Sequence, residues 1–452
     1  PVNITRTPLS GPYTIGGTTP DYSTISEAVN HLNEIGICDD VTFNIRQGTY
    51  KGSLQFNEIY NAGDSGRVIF QADPSNAATD TVLITDTVDA SLNGLVSLRG
   101  KGNLTFKKLR FTGVTGGGVT KALIIFDGTD TVRNVLIDSC SFDGTGLGNY
   151  SLSTFSGHLD SLEVSNCKLE RGRMDIFPPA TMNSSVWVHH NDFVNTSLAI
   201  QLSVGFARVN NNTTSADAAN SWTRQIGIWA NRAEVYNNNL YHRTESTFHG
   251  ITVQRRTQNN GYPVGSFYVY NNVLNLTQKR NNINGTFNAL TVSVKPGDNS
   301  FIHHNTIHMK RFNKSFGGKA IGIGSGNYNV SNNNVFVEHA GLALEAHSTA
   351  VISSSNNNYY TENDSIVKLG STSYAALADL QSAGKDSNSV SANPYFLSDT
   401  SLKPYRSALN GSGMTIVDIP KNILDSTRTN PPDMGAYEFD PIVFDVTIDS
   451  IS

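Results

Sequence analysis

A right-handed parallel β-helix is the fold class this sequence predicts, and three observations predict it. A six-residue phrase returns ten times, opening and closing on apolar residues with polar ones, usually Asn, between. It reads Val188-His-His-Asn191-Asp-Phe193, Val209-Asn-Asn-Asn212, Val235-Tyr-Asn-Asn238-Asn-Leu240, Val269-Tyr-Asn-Asn272-Val-Leu274, Ile302-His-His-Asn305-Thr-Ile307 and Val330-Ser-Asn-Asn333-Asn-Val335, with fainter copies from Phe106, Ile137, Val164 and Ile352. The spacing varies from 21 to 34 residues while the phrase stays fixed, as expected of equal turns of a coil joined by unequal loops. A second row of alternating apolar pairs precedes the phrases: Ile200-x-Leu202, Ile226-x-Ile228, Ile251-x-Val253, Leu290-x-Val292, Ile321-x-Ile323 and Leu342-x-Leu344. Period-two alternation marks strands with one face in the core and one in water. Finally, only 16% of residues are charged, against about 25% in an average soluble domain. The handedness follows from the general preference for right-handed parallel crossovers.

Taken in chain order, residues 1–40 hold an N-terminal strand and a capping helix. Thr24-Ile-Ser-Glu27 is a capping box, followed by an apolar stripe of Ile25, Ala28, Val29 and Leu32 and a stop at Gly36. Residues 41–372 form the coil of ten or more rungs, and 373–440 a C-terminal cap, with a short helix over 373–383. After Pro441, residues 441–452 begin a new alternating strand, Ile442-Val-Phe-Asp-Val-Thr-Ile448, the start of a following β domain or linker.

In the coil, Asn191, Asn212, Asn238, Asn272, Asn305 and Asn333 fall at one position of the phrase and should stack inward about 4.8 Å apart. Such amides bond up and down the stack, at a tight bend where Asn tolerates left-handed backbone. Cys140 and Cys167 take the same position on two earlier rungs and read as buried small hydrophobes. Cys38 should be buried under the first helix.

The sequence limits function in several ways. A net charge of −5 gives no basic footprint for nucleic acid. No apolar run approaches the ~18 residues that would span a bilayer, so no membrane insertion is expected. No cofactor or metal is expected: His189-His190 and His303-His304 are adjacent pairs whose rings should point apart on a strand, and no acidic cluster beside Lys295 offers a Ca²⁺ site. The outward row beside the second strands is Ser203, Trp229, Gln254, Ser293, Gly324 and Glu345. There Trp229, Gln254, Arg255, Ser293 and Glu345 are candidates for a ligand surface, with Trp229 as a sugar-stacking platform or as a ring covered by loop 214–224 or 255–265. Lys295 on the outward face and Arg256 in the projecting loop are the catalytic candidates, as base and charge neutraliser of a uronate lyase, against the plainer reading of solvated surface charges.

Tyr22-Ser-Thr-Ile-Ser-Glu-Ala-Val29 followed by Ile45-Arg-Gln-Gly-Thr-Tyr50 resembles the opening of pectinesterase- and pectate-lyase-like right-handed β-helix proteins. Tyr13-Thr-Ile-Gly-Gly-Thr-Thr-Pro-Asp-Tyr22 and Pro432-Asp-Met-Gly-Ala-Tyr-Glu-Phe439 look more specifically like β-helix modules of large secreted or cell-surface proteins of Bacteroidetes type, cargo of type IX secretion. Asp130-Thr-Val132, Asp160-Ser-Leu162 and Asp364-Ser-Ile366 resemble the O-glycosylation signal of that group. The resemblance spans about residues 11–440 and carries no activity with it. The pectinesterase pattern of a Gln-Asp pair and an Asp-Phe-Ile-Phe-Gly strand is missing, since Asp175-Ile-Phe-Pro178 lacks the rest. The polygalacturonase and pectate-lyase signatures are missing too, and a fold without its catalytic residues does not bring the function along. The expectation is a non-catalytic extracellular or bacterial cell-surface module, a stalk or adhesin whose partners are polysaccharide or cell-surface glycan and further domains of the same parent chain. The alternatives are a polysaccharide lyase or glycoside hydrolase of unrecognised family and a trimeric tailspike-like depolymerase.

Overall fold

The computed structural model describes residues 7–62, 66–77, 81–87, 94–100, 102–114, 122–128, 130–144, 150–154, 157–218, 223–245, 247–256, 263–279, 286–311 and 318–442. The strand expected from Ile442 onward lies, apart from that residue, outside the described residues, as does most of loop 255–265. The chain divides into two compact units, residues 1–235 with 251–265, and residues 236–250 with 266–452. Each is a parallel β-helix with three strands to a turn.

In the first unit, one row of parallel strands runs from Leu9–Ile15 through Ile37–Ile45, Val68–Ala72, Asn103–Lys107, Arg133–Asp138, Ser161–Ser165 and Ser185–His189. A second row starts at Gly48–Lys51 and passes through Ser141–Asp143 to Thr213–Ala218. The third row is Leu54–Phe56, Gly94–Leu98, Ala122–Phe126, Tyr150–Thr154, Arg173–Ile176 and the start of Leu198–Asn210. Apolar side chains alternate inward along every row. Phe43, Phe70 and Phe106 stack face to face with centroids 4.5 and 6.2 Å apart, each buried ring worth about 1.5–3 kcal/mol. Tyr13, Phe43 and Phe70 stand in register with Phe106, so the repeat begins three rungs before its first recognisable phrase. The N-terminal strand is therefore the first rung of the coil rather than part of a separate cap.

The helix Ile25–Ile35 forms as its capping box dictates: Thr24 Oγ1 accepts from the Glu27 N–H, and Glu27 reaches back to the Thr24 N–H. Its buried stripe of Ile25, Ala28, Val29 and Leu32 packs on the first turn of the coil. Cys38, expected beneath this helix, is exposed in the strand that follows it.

In the second unit the rows are Ser266–Tyr270 to Ala350–Ser355, Asn239–Thr244 to Asn358–Thr361, and Phe287–Ser293 to Val367–Leu369. The helix expected over 373–383 is shorter, Leu377–Ser382, because Thr372–Tyr374 first pairs antiparallel with Val367–Leu369.

The repeated phrase is a bend with two separate duties. The residue before the ladder position carries the left-handed backbone, with φ of 50–60° at Lys108, Ser139, Asn166, His190, Asn211, Asn237, Asn271, His304, Asn332 and Asn356. The ladder residue itself does not, which corrects the expectation that the stacked Asn supplies that angle. The ladder residues are buried, with Asn191 at 2% exposed and Asn212, Asn238, Asn272, Asn305 and Asn333 at 0%. The bonds from one ladder amide to the next all point one way, while the amides of Asn191, Asn305 and Asn333 also donate back to a carbonyl of the preceding rung. The backbone N–H and side-chain amide of Asn272 both donate to Asn305 Oδ1, at 3.1 and 3.0 Å, and Asn305 donates to Asn333 Oδ1 in the same manner. Asn238 donates likewise to Asn272, and within the first unit Asn191 to Asn212. Cys140 and Cys167 continue this stack: the Cys140 N–H faces Cys167 Sγ at 3.4 Å, and the Cys167 N–H donates to Asn191 Oδ1 at 2.9 Å. Both thiols are free, and burial pushes that of Cys140 up.

A chain of donors needs an acceptor at its end. Asn333 donates to Asn357 Oδ1, and the Asn357 amide donates at 3.0 Å to the carboxyl of Asp386, which also accepts from Ser354 and Ser389. The late phrase expected from Ile352 is in fact in register from Ser354, opposite Val330, and its ladder residue is Asn357. An ionised carboxylate carries only acceptors, which is what the last rung requires.

Only the first part of residues 384–440 closes the end of the coil, where Asp386 ends the ladder and Ser387 and Val390 bridge to Ser355 and Asn358 of the last rung. The rest runs back along its side, and the left-handed residues of the bends fasten it. Asn271 donates to the Lys421 carbonyl, and Asn356 donates to that of Ser412. Asn332 bonds both the N–H and the carbonyl of Met414. The closing phrase is the last clasp of this brace: Gly435 N–H donates to the Asn332 carbonyl, Ala436 N–H to Thr306 Oγ1 at 2.9 Å, and Asp433 accepts from the N–H groups of Gly411 and Phe439. Gly435 is required there, with φ at +100° and the place of a Cβ only 2.6 Å from Thr306 Oγ1. The signature that resembles secreted modules thus has a structural duty.

Candidate functional site

The third strand row of the first unit turns Ile125, Ser153, Asp175 and Gln201 outward in one line, each paired with the next in register. Around Asp175 lies a cavity of about 200 Å³ lined by Tyr150, Ser153, Thr154, Asp175 and Phe177. Small-molecule pockets start near 300 Å³, so this one admits the edge of a sugar rather than an oligosaccharide.

Asp175 sits in the short strand Arg173–Ile176, whose Met174 and Ile176 are buried and whose odd positions face out. Its Oδ2 pairs with Arg173 at 3.0 Å, and its Oδ1 is buried without a hydrogen bond. Burial pushes this carboxyl up to about 6, against the pull of the Arg173 guanidinium. Arg173 is itself held by Tyr150, whose hydroxyl it bonds and whose ring lies 4.0 Å below its guanidinium carbon. Phe177 continues the outward row and is 44% exposed; its N–H donates to Thr154 Oγ1 at 2.6 Å.

Trp229, the platform suggested by the sequence, stands beside Phe177 with ring centroids 6.1 Å apart. It is half-buried, its Nε1–H donates to Gln254 Oε1 at 2.8 Å, and the Arg224 guanidinium lies 4.9 Å from its ring. Gln201 is anchored by the Arg224 carbonyl at 3.0 Å, and the room for it is made by Gly227, where a Cβ would come within 2.4 Å of its Oε1.

Arg255 and Arg256 do not face solvent. Arg255 is 5% exposed and donates to the carbonyls of Asn231 and Pro263; Arg256 is 4% exposed and donates to those of Pro178 and Met182. Buried guanidinium groups spent on carbonyls are structural, so neither is a ligand contact or a charge neutraliser. Arg256 does serve the site, since it ties down the loop that directly follows Phe177.

The remaining candidates belong to the second unit. Ser293 ends its strand, and Lys295 lies in the turn beyond it, where its N–H donates to Asp298 Oδ2 at 3.1 Å; it is not on the sheet face. Glu345 pairs in register with Gly322, which faces Thr291, so it belongs to the row next to Ser293 and Gly324. Its carboxylate is taken up by Lys319 at 2.8 Å and Lys368 at 3.5 Å. The His pairs behave differently from a flat strand: the left-handed angle at His190 turns its ring toward His189, Nδ1 to Nδ1 at 2.9 Å. Even so, among the described residues no group of three or more His, Cys, Asp and Glu side chains is placed to hold a metal. Nor does any described helix have the length and apolarity to cross a membrane.

Sequence reasoning put Trp229 and Gln254 in one outward row, and the structure joins them by a hydrogen bond, but it passed over Asp175 and Phe177. Their signal was present in Arg173-Met-Asp-Ile-Phe177, where buried Met174 and Ile176 alternate with outward Asp175 and Phe177.

No protein-family model matches the chain, and no curated protein does. Among solved structures it is similar to a pectin methylesterase from Aspergillus niger in deglycosylated form, at 18% identity and a TM-score of 0.33, over 59% of this chain and 87% of that one. The penultimately deglycosylated form of the same enzyme gives 17% identity and a TM-score of 0.34, over 64% and 87%.

Proposed function

We propose that this chain is an extracellular β-helix module that binds glycan without turning it over, on the outward face around Phe177 and Trp229. One observation carries the reading: a large aromatic ring, nearly half exposed, is fixed beside a second ring and at the rim of a cavity holding an unpartnered carboxyl oxygen. Phe177 offers a flat apolar surface to the C–H face of a sugar. The Asp175 oxygen, Ser153 and Thr154 offer hydrogen bonds to its hydroxyls. The module's place is in a secreted or surface-displayed parent protein.

The test is a panel of neutral and acidic polysaccharides followed by binding and by product formation, as reducing ends and as ultraviolet absorbance of unsaturated sugars. Binding without products, lost on Phe177→Ala and on Trp229→Ala, is the expected result. No binding to any member of the panel would overturn it.

One observation favours a second reading, a glycoside hydrolase or polysaccharide lyase. A carboxyl that titrates near pH 6 at a cavity is suited to general acid–base work. Products that vanish with Asp175→Asn would establish that reading over the first.

A further inference from the structure

The second unit carries a larger cavity, about 430 Å³, on the outward face of its second strand row. Three neighbouring strands build its floor. Tyr241, Asn275 and His308 form one outward line, and Arg243, Thr277 and Lys310 the next, each residue in register with its neighbour. The wall is the turn at Asp399, pinned where the Asn275 amide donates to the Asp399 carbonyl at 2.6 Å. That turn belongs to the brace, so the cavity is a fixed part of the fold.

Its charge runs against that of the chain. Arg243, Lys279 and Lys310 line it in a protein of net charge −5. Asp399 in the wall and Glu338 beside it offset part of this, Glu338 taking Lys310 at 2.6 Å and His308 at 3.1 Å; its bonds to His308 and then Lys310 hold its carboxyl down at about 2. Arg243 is exposed and makes no ion pair among the described residues.

We propose that this cavity binds an acidic oligosaccharide, with Arg243 and Lys279 on its carboxylate or sulfate group. A guanidinium fork matches such a group in two parallel bonds. The half-buried Tyr241 ring supplies a stacking surface, while Asn275 and Thr277 call for a partner rich in hydroxyls. A bare phosphate or sulfate ion lacks both the apolar face and those hydroxyls. This site is independent of the Phe177–Trp229 surface.

Calorimetry on the intact chain with tetragalacturonate, a heparin-derived tetrasaccharide, cellotetraose and inorganic sulfate tests it. At least one acidic tetrasaccharide should bind, and which one distinguishes uronate from sulfate ester. Arg243→Gln and Lys279→Gln should each weaken that binding about tenfold or more. Lys295→Gln, a cation elsewhere in the unit, should leave it unchanged. Absence of binding by both acidic probes, affinity retained in the Arg243→Gln/Lys279→Gln double variant, or equal affinity for inorganic sulfate would each overturn the proposal.

Discussion

At the bend between first and second strands, the first unit exposes Lys108, Asn166 and His190 and half-buries Ser139 and Asn211, whereas the second half-buries Asn237 and Asn356 and buries the three between them, with Asn271 at 2% exposed and His304 and Asn332 at 0%. The backbone is alike in both, φ near +55°. What differs is whether anything lies over the bend. In the second unit the brace of residues 384–440 lies over it, and the outward side chains become its hydrogen-bond partners. One sequence element therefore has a fixed internal duty, the ladder, and an outward side chain that is free to serve whatever covers it. The doubled Asn of Asn271-Asn272 and Asn332-Asn333 shows both duties side by side: one amide faces the brace and the next faces the core.

The largest effect should come from cutting the internal duty. Asn305→Leu removes the acceptor for two Asn272 donors and the amide that bonds Asn333 Oδ1 and the Val269 carbonyl. Several buried groups lose partners together, so a loss of about 3 kcal/mol is expected, measured by denaturant unfolding. Next comes the outward duty, where the two regions should part. Glycine keeps the left-handed angle, so Asn332→Gly isolates the side-chain bonds to His304 and Met414. It should cost about 2 kcal/mol and raise hydrogen exchange across 410–439. Asn211→Gly, at the uncovered bend, loses one solvent-facing bond to His190 and should change stability by less than about 0.5 kcal/mol. Equal losses from the two would remove the distinction between a covered and an uncovered bend.

The coil was legible because each rung repeats the same demand, so ten imperfect copies together point one way. The ladder's direction and its ending were not legible, since Asp386 lies outside the repeat and no periodicity points to it. Register was harder than fold. The alternating run Gly318-Lys-Ala-Ile-Gly-Ile323 accepts its neighbour at more than one two-residue offset, and so Glu345 was placed beside Gly324 when it faces Gly322. Charge misled at Arg255 and Arg256, because a guanidinium can be buried when carbonyls accept its protons, and carbonyls leave no mark in a sequence. Asp175 and Phe177 were hidden by comparison with a motif they do not complete, although their alternation with Met174 and Ile176 placed them outward all along.

Two carboxyls, one in each unit, are pushed up to about 6 by burial, and they should answer the same substitution oppositely. Asp433 accepts backbone N–H groups on both oxygens, from Gly411 at 2.6 Å and Phe439 at 2.7 Å, and an Asn there can accept only one of them. Asp433→Asn should therefore destabilise the second unit. Asp175 has one oxygen on Arg173 and the other unbonded, so Asp175→Asn gives up one partly screened ion pair and relieves a buried charge. The folded chain keeps the Asp175 proton up to about pH 6, the unfolded chain only to the usual 3.8. Its contribution to stability is therefore full below about pH 4 and is lost as pH rises through 6. Asp175→Asn should match the parent below pH 4 and exceed it by up to about 3 kcal/mol at pH 7, since the shift to about 6 already includes the pull of Arg173. The measurement is denaturant unfolding from pH 3.5 to 7.5, with exchange of residues 150–177 reporting the first unit. A difference that stays constant across that range, or reverses sign at pH 7, would mean that Asp175 is already ionised and solvated in the folded chain. The cavity would then hold a wet, ordinary carboxylate, and both the glycan surface and the acid–base reading built on it would lose their polar anchor.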